Sequence, residues 1–572
     1  MNEARRGTSR VLSSCLPCLI LLAAGLAIIS PEFATGPSTS DSIRYNIVWT
    51  DQWRALVAAR EFYPRWMPRS WDGLGSPTFY FYPPLFFWAA AAADLLTARA
   101  LQTGALLTLT AGLILGASGI AMRAWLLAHA APRAAMLGGL AYMLAPYHLY
   151  DILARAALAE SCAYAALPVV MLSVKRAAEG RTAWVSALAA SYAVLTLSHL
   201  PVGLLTSVIL LPAYAIHCSA RAVRRLSALA SVAAGGLLGV GLAAAYLVPA
   251  IGLQPYILAE AFSGEFHSPD RWFFWRVDLW SQDAVMWVVI PTWAAAGLAA
   301  ASAARASWVA RTRETLFWCA ACAAMLVLAS GIPPVFWSIP LLSQVQFPWR
   351  LLVPIEFAAV TCVVLAAPKL RSALSVAAVV SLAFAATVCV MLIGTRLAAS
   401  VDRSAGDIAT IRTYYRDAPE YLPAGSPLPL GEDGVPDPWL VPLPQGPAVE
   451  AGEGAKLAVA ALPRGGLRIN VESDVATQVV ARRFAFPSWI LTDATGQRVA
   501  IETTAGKLVA WRAPAGRSEY LLRQGAAPGE RMGQAASAAS LLVLLALGAA
   551  AVFRARARGR GQVPRSPLRT SS

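Results

Sequence analysis

Residues 221–249, RAVRRLSALASVAAGGLLGVGLAAAYLVP, combine three arginines with an uncharged apolar run that begins at Leu226. The run exceeds the ~20 residues that an α-helix needs to cross a bilayer, and basic residues flank it as in the inner loops of membrane proteins. Similar runs recur along the chain. The sequence predicts a polytopic α-helical membrane protein with about 12 transmembrane helices, near residues 11–29, 103–121, 134–149, 157–174, 183–197, 201–217, 226–249, 283–303, 315–331, 351–367, 373–395 and 535–554.

The composition supports this class of protein. Of the 572 residues, 57% are hydrophobic and 14% are charged, against about 45–50% and about 25% in a soluble domain. A single soluble core and a disordered chain are therefore excluded. We assign the net charge of +15 to membrane orientation and not to nucleic acid, because the basic residues recur in short loops on one side. With that side cytoplasmic, both termini are predicted to be cytoplasmic.

The apolar segment 83–97 is too short to span a bilayer. If it did cross, Arg123 and Arg133 would lie outside and would break the bias of basic residues toward the inner loops. We therefore expect segment 83–97 to lie at the outer interface or to re-enter the membrane from outside.

The chain divides into three predicted regions. Residues 1–396 form the transmembrane core, which includes an outer loop over 31–82. Residues 397–532 form an extracytoplasmic region, in which a Pro-rich linker precedes short alternating runs that begin near 456. Such runs, separated by turn residues, predict a β-sandwich-like domain before the last helix. Residues 533–572 contain that helix and a basic cytoplasmic tail.

Signatures of soluble enzymes are missing from the sequence, which has no P-loop, GxGxxG, HExxH or GxSxG motif. The eight cysteines lie in or beside apolar runs. Two CxxC pairs, which begin at Cys15 and Cys319, have no neighbouring histidine or second pair that would complete a zinc site. We predict buried structural thiols and no metal site from these residues, and the polar groups of interest lie on the outer side.

The first outer loop contains two carboxylates, Asp41 and Asp51, just outside the first helix. A carboxylate in this position can act as a general base toward an acceptor hydroxyl. The spacing of Trp49, Trp53 and Leu56 favours an amphipathic helix that lies in the membrane interface. The alternative for these aromatic residues is an ordinary aromatic belt at headgroup level.

A second polar segment is APYHLYDILARAALAE, residues 145–160. Asp151, Arg155 and Glu160 are spaced four and five residues apart, so a helix would place them roughly on one side. Ionisable groups at a bilayer boundary usually face a cavity or one another. The alternative is a plain i,i+4 pair of Asp151 and Arg155, which leaves Glu160 in need of a partner.

His199 lies in the polar break SHLP, and Arg350 lies in QFPWR at the outer start of a helix. An arginine outside runs against the positive-inside bias, and phosphate binding through its guanidinium fork is one explanation. Extension toward lipid headgroups is the alternative for Arg350. His199 is a candidate phosphate contact or a hydrogen-bonded interfacial residue. Together these outer groups suit a lipid-linked phosphate substrate.

Several strings resemble a known family: YPRW with GLGSPTFYFYPPL between residues 63 and 85, APYHLYD, SHLP, AAYLVPA, QFPWR and EYLP. The resemblance covers residues 11 to about 423. These strings are similar to the bacterial membrane proteins labelled 6-pyruvoyl-tetrahydropterin synthase-related, close to the YfhO-like group. That group resembles glycosyltransferases of the C superfamily (GT-C). The resemblance implies a GT-C-like core and a bacterial inner-membrane location.

The resemblance also implies a reaction. A polyprenyl-phosphate sugar is the donor, a lipid or glycan is the acceptor, and an acidic residue of the first outer loop is the base. Asp41 is carried over as that base by its position, with Asp51 as the alternative; Asn46 stands where relatives have a histidine. Arg155, Glu160 and Arg350 are carried over as residues that bind the donor. Some members of the superfamily need a divalent metal and others do not. The full set of candidate substrate-binding residues is Arg155, Glu160, Asp151, His199, Arg350, Arg65 and Tyr82.

Two other functions remain open at this point. A lipid or polysaccharide transporter would carry charged residues through the helix centres, whereas here the centres are rich in Ala, Leu and Val. A non-catalytic membrane scaffold would tolerate changes at Asp41, Arg155 and Arg350.

Overall fold

The computed structural model describes residues 2–35, 42–220, 222–262, 265–277, 285–309, 312–369, 411–431 and 437–560. Within these ranges the chain is a helical membrane protein, because several helices are long and apolar enough to cross a bilayer. The seven such helices are Thr103–Leu126, Leu158–Ala178, Leu200–Ser219, Arg225–Leu242, Met286–Trp308, Pro348–Ala366 and Glu530–Ala550. Shorter apolar helices are Cys15–Ile29, Leu85–Leu96 and Ala183–Ser198.

The count of twelve spans is not confirmed. The predicted span 134–149 consists of two helices, Pro132–Met143 and Pro146–Leu153. The break occurs because a proline disfavours helical backbone in the residue before it, and Ala145 accordingly has an extended ψ of 137°. The predicted span 226–249 is also divided at residue 243, and the predicted span 373–395 lies outside the described residues.

The first outer loop contains the expected helix, Ile43–Ala58. Its two tryptophans, Trp49 and Trp53, are buried in the protein and do not form the membrane-facing surface that the spacing predicted. Trp53 is 1% exposed, and its ring centroid lies 4.5 Å from that of Phe79 and 5.7 Å from that of Phe87. The helix is therefore held in the protein by aromatic packing. The remaining α-helices of the described ranges are Pro31–Thr35, Thr78–Phe81, Ala244–Gly252, Arg313–Ala329, Pro334–Trp337 and Pro340–Ser343.

The predicted strands near the C-terminus are confirmed, and they form two antiparallel sheets. The strands are β1 Val449–Ala451, β2 Lys456–Ala461, β3 Leu467–Ser473, β4 Thr477–Phe484, β5 Trp489–Asp493, β6 Arg498–Val499, β7 Glu502–Thr503, β8 Leu508–Ala513 and β9 Gly516–Gln524. One sheet has the order β1-β4-β8-β7 and the other β2-β3-β9-β5-β6. Leu467, Ile469 and Val471 alternate as buried residues along β3, as expected for a strand with one buried face. The ring of Trp511 in β8 lies 5.4 Å from that of Tyr520 in β9, which joins the two sheets face to face.

The β-sandwich packs directly on the first outer loop. The ring of Trp66 lies 5.3 Å from that of Trp489, and the Phe484 amide donates to the Leu74 carbonyl at 2.8 Å. Gly75 has a φ of +88°, and a Cβ there would lie 2.3 Å from the Trp66 ring. Only glycine meets both conditions without strain, so the GLGSP segment sets the close approach of loop and sandwich.

Candidate functional site

Arg155 lies between the helices Pro146–Leu153 and Leu158–Ala178 and gathers three partners on one nitrogen. Its Nη1 donates to Asp151 Oδ1 at 2.6 Å, to Glu160 Oε2 at 3.2 Å and to the Tyr147 hydroxyl at 3.0 Å. Both carboxylates are almost fully buried. The sequence-predicted trio is thus brought together, and Glu160 finds the partner that its burial requires.

This network contains two carboxylates around one guanidinium. Burial raises the pKa of Asp151, and the neighbouring charge of Glu160 raises it further, against the lowering by Arg155. The Oδ2 atom of Asp151 is buried without a hydrogen-bond partner. The positive charge of Arg155 is therefore already compensated by its neighbours, and its main local effect is to fix their geometry.

Glu356 supports this arrangement from another helix. It is 3% exposed and accepts the backbone amides of Tyr147 and His148 at 2.8 and 3.2 Å. It also accepts the Tyr164 hydroxyl at 2.8 Å. These amides belong to the first turn of Pro146–Leu153, whose N-cap residue Ala145 has no capping side chain. Glu356 therefore supplies in trans the cap that the helix lacks.

Arg350 is the cation of the region with the least compensation. Its Nη1 donates to the Val345 carbonyl at 2.6 Å and to Gln346 Oε1 at 3.1 Å, and its guanidinium carbon lies 4.8 Å from the Phe347 ring centroid. The side chain is half-buried, and its Nε is buried without a partner. No carboxylate of the described residues lies within the 4.0 Å ion-pair distance of Arg350.

Tyr82 and His199 are the two further candidate residues on which the charges of Arg350 and Arg155 act. Burial raises the pKa of Tyr82, and the charges of Arg350, Glu160 and Arg155 all act on its hydroxyl. Burial lowers the pKa of His199 well below its usual range, and Arg350 and Arg155 lower it further. His199 is therefore neutral at pH 7. Its Nδ1 accepts the Val202 amide at 3.4 Å, so the proton is assigned to Nε2, which can donate to a ligand.

Asp51 and Arg65 do not contact this cluster. Asp51 accepts hydrogen bonds from Arg412 Nε at 2.9 Å and from the Thr103 hydroxyl. Arg65 pairs with Glu530 Oε1 at 3.3 Å, and both side chains are largely buried. Arg65 therefore lies in an ion pair away from the Arg155 cluster, and its role in substrate binding stays a prediction. Asp41 lies outside the described residues.

The segment 417–421 contains two acidic residues that the sequence analysis missed. Asp417 is fully buried and accepts Trp49 Nε1 and the Thr78 hydroxyl, each at 2.8 Å. Burial raises its pKa. Glu420 is half-buried; burial, together with the charge of Asp417, raises its pKa to about 7 against the lowering by Arg44. The string EYLP was the available signal, but it lies in the stretch that was interpreted as extracytoplasmic linker.

Trp49 links the segment 417–421 to Tyr82. Its indole N–H donates to Asp417, and its ring centroid lies 4.6 Å from that of Tyr82. The described residues thus contain a compensated Arg155 network, a weakly compensated Arg350, and the aromatic pair Tyr82 and Trp49, which leads to Asp417. No group of three or more His, Cys, Asp or Glu side chains in the described ranges could hold a metal ion.

No family model and no curated protein matches the sequence. Among solved structures, the chain is similar to the arabinofuranosyltransferase AftD from mycobacteria, with 14% sequence identity and a TM-score of 0.39. The similarity covers 65% of this chain, which spans 27% of the AftD chain. This is a partial likeness of shape that says nothing about individual residues.

Proposed function

We propose that this protein is a GT-C-type membrane glycosyltransferase of the 6-pyruvoyl-tetrahydropterin synthase-related, YfhO-like group. It transfers a sugar, with inversion, from a polyprenyl-phosphate donor to a lipid or glycan acceptor on the outer side of the bacterial inner membrane, with both termini cytoplasmic. The observation that supports this proposal best is Arg350, a half-buried arginine that no described carboxylate pairs. It lies in the first turn of the apolar helix segment Pro348–Ala366.

An arginine at the start of an apolar helix segment, with no carboxylate in direct ion-pair contact, suits an anionic headgroup with a long apolar tail. The guanidinium binds phosphate through a fork of parallel N–H donors, while the chain of the lipid lies against the helices. Arg350 Nε is buried without a protein hydrogen-bond partner. A free sugar nucleotide would make no use of the apolar surroundings.

The same residues suit the leaving group of a transfer reaction. The acceptor oxygen attacks the anomeric carbon, the bond from that carbon to phosphate oxygen breaks, and its electron pair stays on the phosphate. The lipid phosphate thereby gains a second negative charge. In this proposal, Arg350 and the Nε2 proton of His199 stabilise this charge, the kind of contribution that is usually largest in such sites. Arg155 holds Tyr147 and Glu160 in place beside them.

The general base is assigned to Asp41, by the resemblance of the first outer loop. Ser42, the next residue, donates its backbone amide to the Arg155 carbonyl at 3.2 Å. Asp51 is the second candidate, although its carboxylate is paired with Arg412 at 2.9 Å. A base takes the acceptor proton as the oxygen attacks. Some members of the GT-C superfamily need a divalent metal and others do not, so the proposal does not specify one. The β-sandwich is proposed as an acceptor-binding or lid module, because it packs on the same loop.

The test is a transfer assay in reconstituted membranes with a radiolabelled polyprenyl-phosphate sugar. Arg350→Gln should lower the release of polyprenyl phosphate by about 10²–10³-fold, as for other lost oxyanion donors. Arg276→Gln is the matched control, since Arg276 is exposed and pairs with Asp270. Asp41→Asn should abolish transfer while donor binding persists. Full transfer by both folded variants would refute the assignment. Movement of lipid across the membrane without transfer would favour a transporter.

A further inference from the structure

The backbone turn that precedes Arg350 is strained. Gln346 has a φ of +68°, and the Phe347 amide donates to the Val345 carbonyl at 2.8 Å. A hydrogen bond that closes three residues around a positive φ defines a γ-turn of the rare, strained kind. Residues held in such conformations cluster at functional sites, where the surrounding structure offsets the strain. The contacts of the Gln346 side chain are therefore of interest.

Gln346 connects Arg350 to a second segment of the chain. Its Oε1 accepts Arg350 Nη1 at 3.1 Å, and its Nε2 donates to the Phe262 carbonyl at 3.2 Å. Phe262 ends the short helical turn Ala259–Phe262, in which Ala261 is 2% exposed. The two partners fix the orientation of the amide, because only its oxygen can accept from the arginine and only its nitrogen can donate to the carbonyl.

These contacts direct the guanidinium of Arg350 and leave its charge in place. Its Nη1 carries two N–H donors, which go to the Val345 carbonyl at 2.6 Å and to Gln346. No carboxylate of the described residues lies within the 4.0 Å ion-pair distance of Arg350. Arg155, by contrast, is paired with two carboxylates. A neutral amide therefore holds the Arg350 cation in a defined direction and adds no negative charge beside it.

We propose that Gln346 is a positioning residue for Arg350. Because Gln346 and Val345 already hold the guanidinium, an anion that binds there does not have to order the side chain, and this reduces the cost of binding. The nature of that anion, a lipid-linked phosphate, rests on the proposed function. The coupling between Gln346 and Arg350 is a separate property, because binding of inorganic phosphate measures it as well.

Two substitutions separate orientation from charge. Gln346→Asn keeps a residue type that adopts positive φ comparatively often, but its side chain is one methylene shorter and no longer spans the two partners. Gln346→Glu keeps the length and the acceptor oxygen, but it places a negative charge beside Arg350 and a second acceptor against the Phe262 carbonyl. Gln344→Asn and Gln344→Glu are the matched controls, because Gln344 is exposed and lies in the same segment.

The experiment measures the affinity of the purified full-length protein for two probes, polyprenyl phosphate in mixed micelles and inorganic phosphate. Gln346→Asn should weaken the binding of both about tenfold, the order expected for a lost hydrogen bond to a charged group. Gln346→Glu should weaken it as far as Arg350→Gln does, because the new carboxylate pairs with the cation. Both Gln344 variants should bind like the wild type. Gln346→Gly, which removes the amide and relieves the positive φ, should match Gln346→Asn and guards against a folding defect.

A double-substitution cycle tests whether Gln346 acts through Arg350. In the Arg350→Gln background, Gln346→Asn should have no further effect on binding, because coupled residues are not additive. An equal loss in both backgrounds, or wild-type affinity in Gln346→Glu, would overturn the positioning role.

The failures of the two proposals are distinguishable. If inorganic phosphate binds and shows the coupling but polyprenyl phosphate does not bind, the positioning role stands and the proposed transferase fails. If Arg350→Gln weakens the binding of polyprenyl phosphate but the Gln346 variants do not, the positioning role alone fails. If neither probe binds the wild type, or if Arg350→Gln binds both like the wild type, both proposals fail.

Discussion

Substitution of Glu356 tests how the site is held in place. Its two oxygens accept three hydrogen bonds, two from the first-turn amides of Pro146–Leu153 and one from Tyr164. A hydrogen bond to a charged group contributes about 1.5–3 kcal/mol, and a buried donor left without an acceptor costs about 1–3 kcal/mol. Because neighbouring contributions are not additive, Glu356→Ala should cost about 3–6 kcal/mol.

Glu356→Gln should cost less, for a geometric reason. An amide keeps one oxygen, so whichever way it is oriented, its NH₂ group faces one backbone N–H and leaves that donor without an acceptor. We expect a loss of about 1–3 kcal/mol. Thermal unfolding of the purified protein, followed by near-UV circular dichroism, should give melting temperatures in the order wild type, Gln, Ala. Glu519→Gln, an exposed carboxylate, should match the wild type. A Glu356→Ala variant as stable as the wild type would refute the capping role.

Three further outcomes are expected. Arg65→Met leaves the largely buried carboxylate of Glu530 unpaired and should cost about 3–5 kcal/mol in thermal unfolding, with polyprenyl phosphate binding retained; a loss of binding in a folded variant would show that Arg65 also binds the substrate. Burial raises the pKa of Glu420 from 4.5 to about 7, so the stability it contributes is present at low pH and is lost as pH rises through 7. Glu420→Gln should therefore melt above the wild type at about pH 8 and with it at about pH 4; a constant difference would contradict this. Trp66→Ala should cost about 3–5 kcal/mol and speed proteolysis between the outer loop and the β-sandwich, and an unchanged cleavage rate would contradict their packing.

Local patterns predicted much of the fold. The strands could be located because alternation of buried residues, as at Leu467, Ile469 and Val471, depends only on neighbouring positions. The division of 134–149 was missed although Pro146 was visible, because an apolar run with one proline also fits a continuous kinked helix. Amphipathic spacing placed the Trp53 face at the membrane interface, since aromatic residues favour that layer as well as a protein core.

In the site, too, contacts between residues that are close in the sequence could be predicted, and contacts between distant segments could not. The contacts of Arg155 with Asp151 and Glu160 join residues four and five positions apart, so helical spacing was sufficient to predict them. The pair of Arg65 with Glu530 and the bond of Trp49 to Asp417 join distant segments. No periodicity in a single sequence indicates such partners, and for this reason neither Glu530 nor Asp417 was predicted as a partner.

The measurement that tests the central proposal most directly is a cryo-EM structure of the protein with bound polyprenyl phosphate. The proposal predicts a phosphate whose oxygens lie about 2.7–2.9 Å from the guanidinium nitrogens of Arg350, with the lipid chain along Pro348–Ala366. A phosphate bound elsewhere, with Arg350 still donating only to Val345 and Gln346, would contradict it.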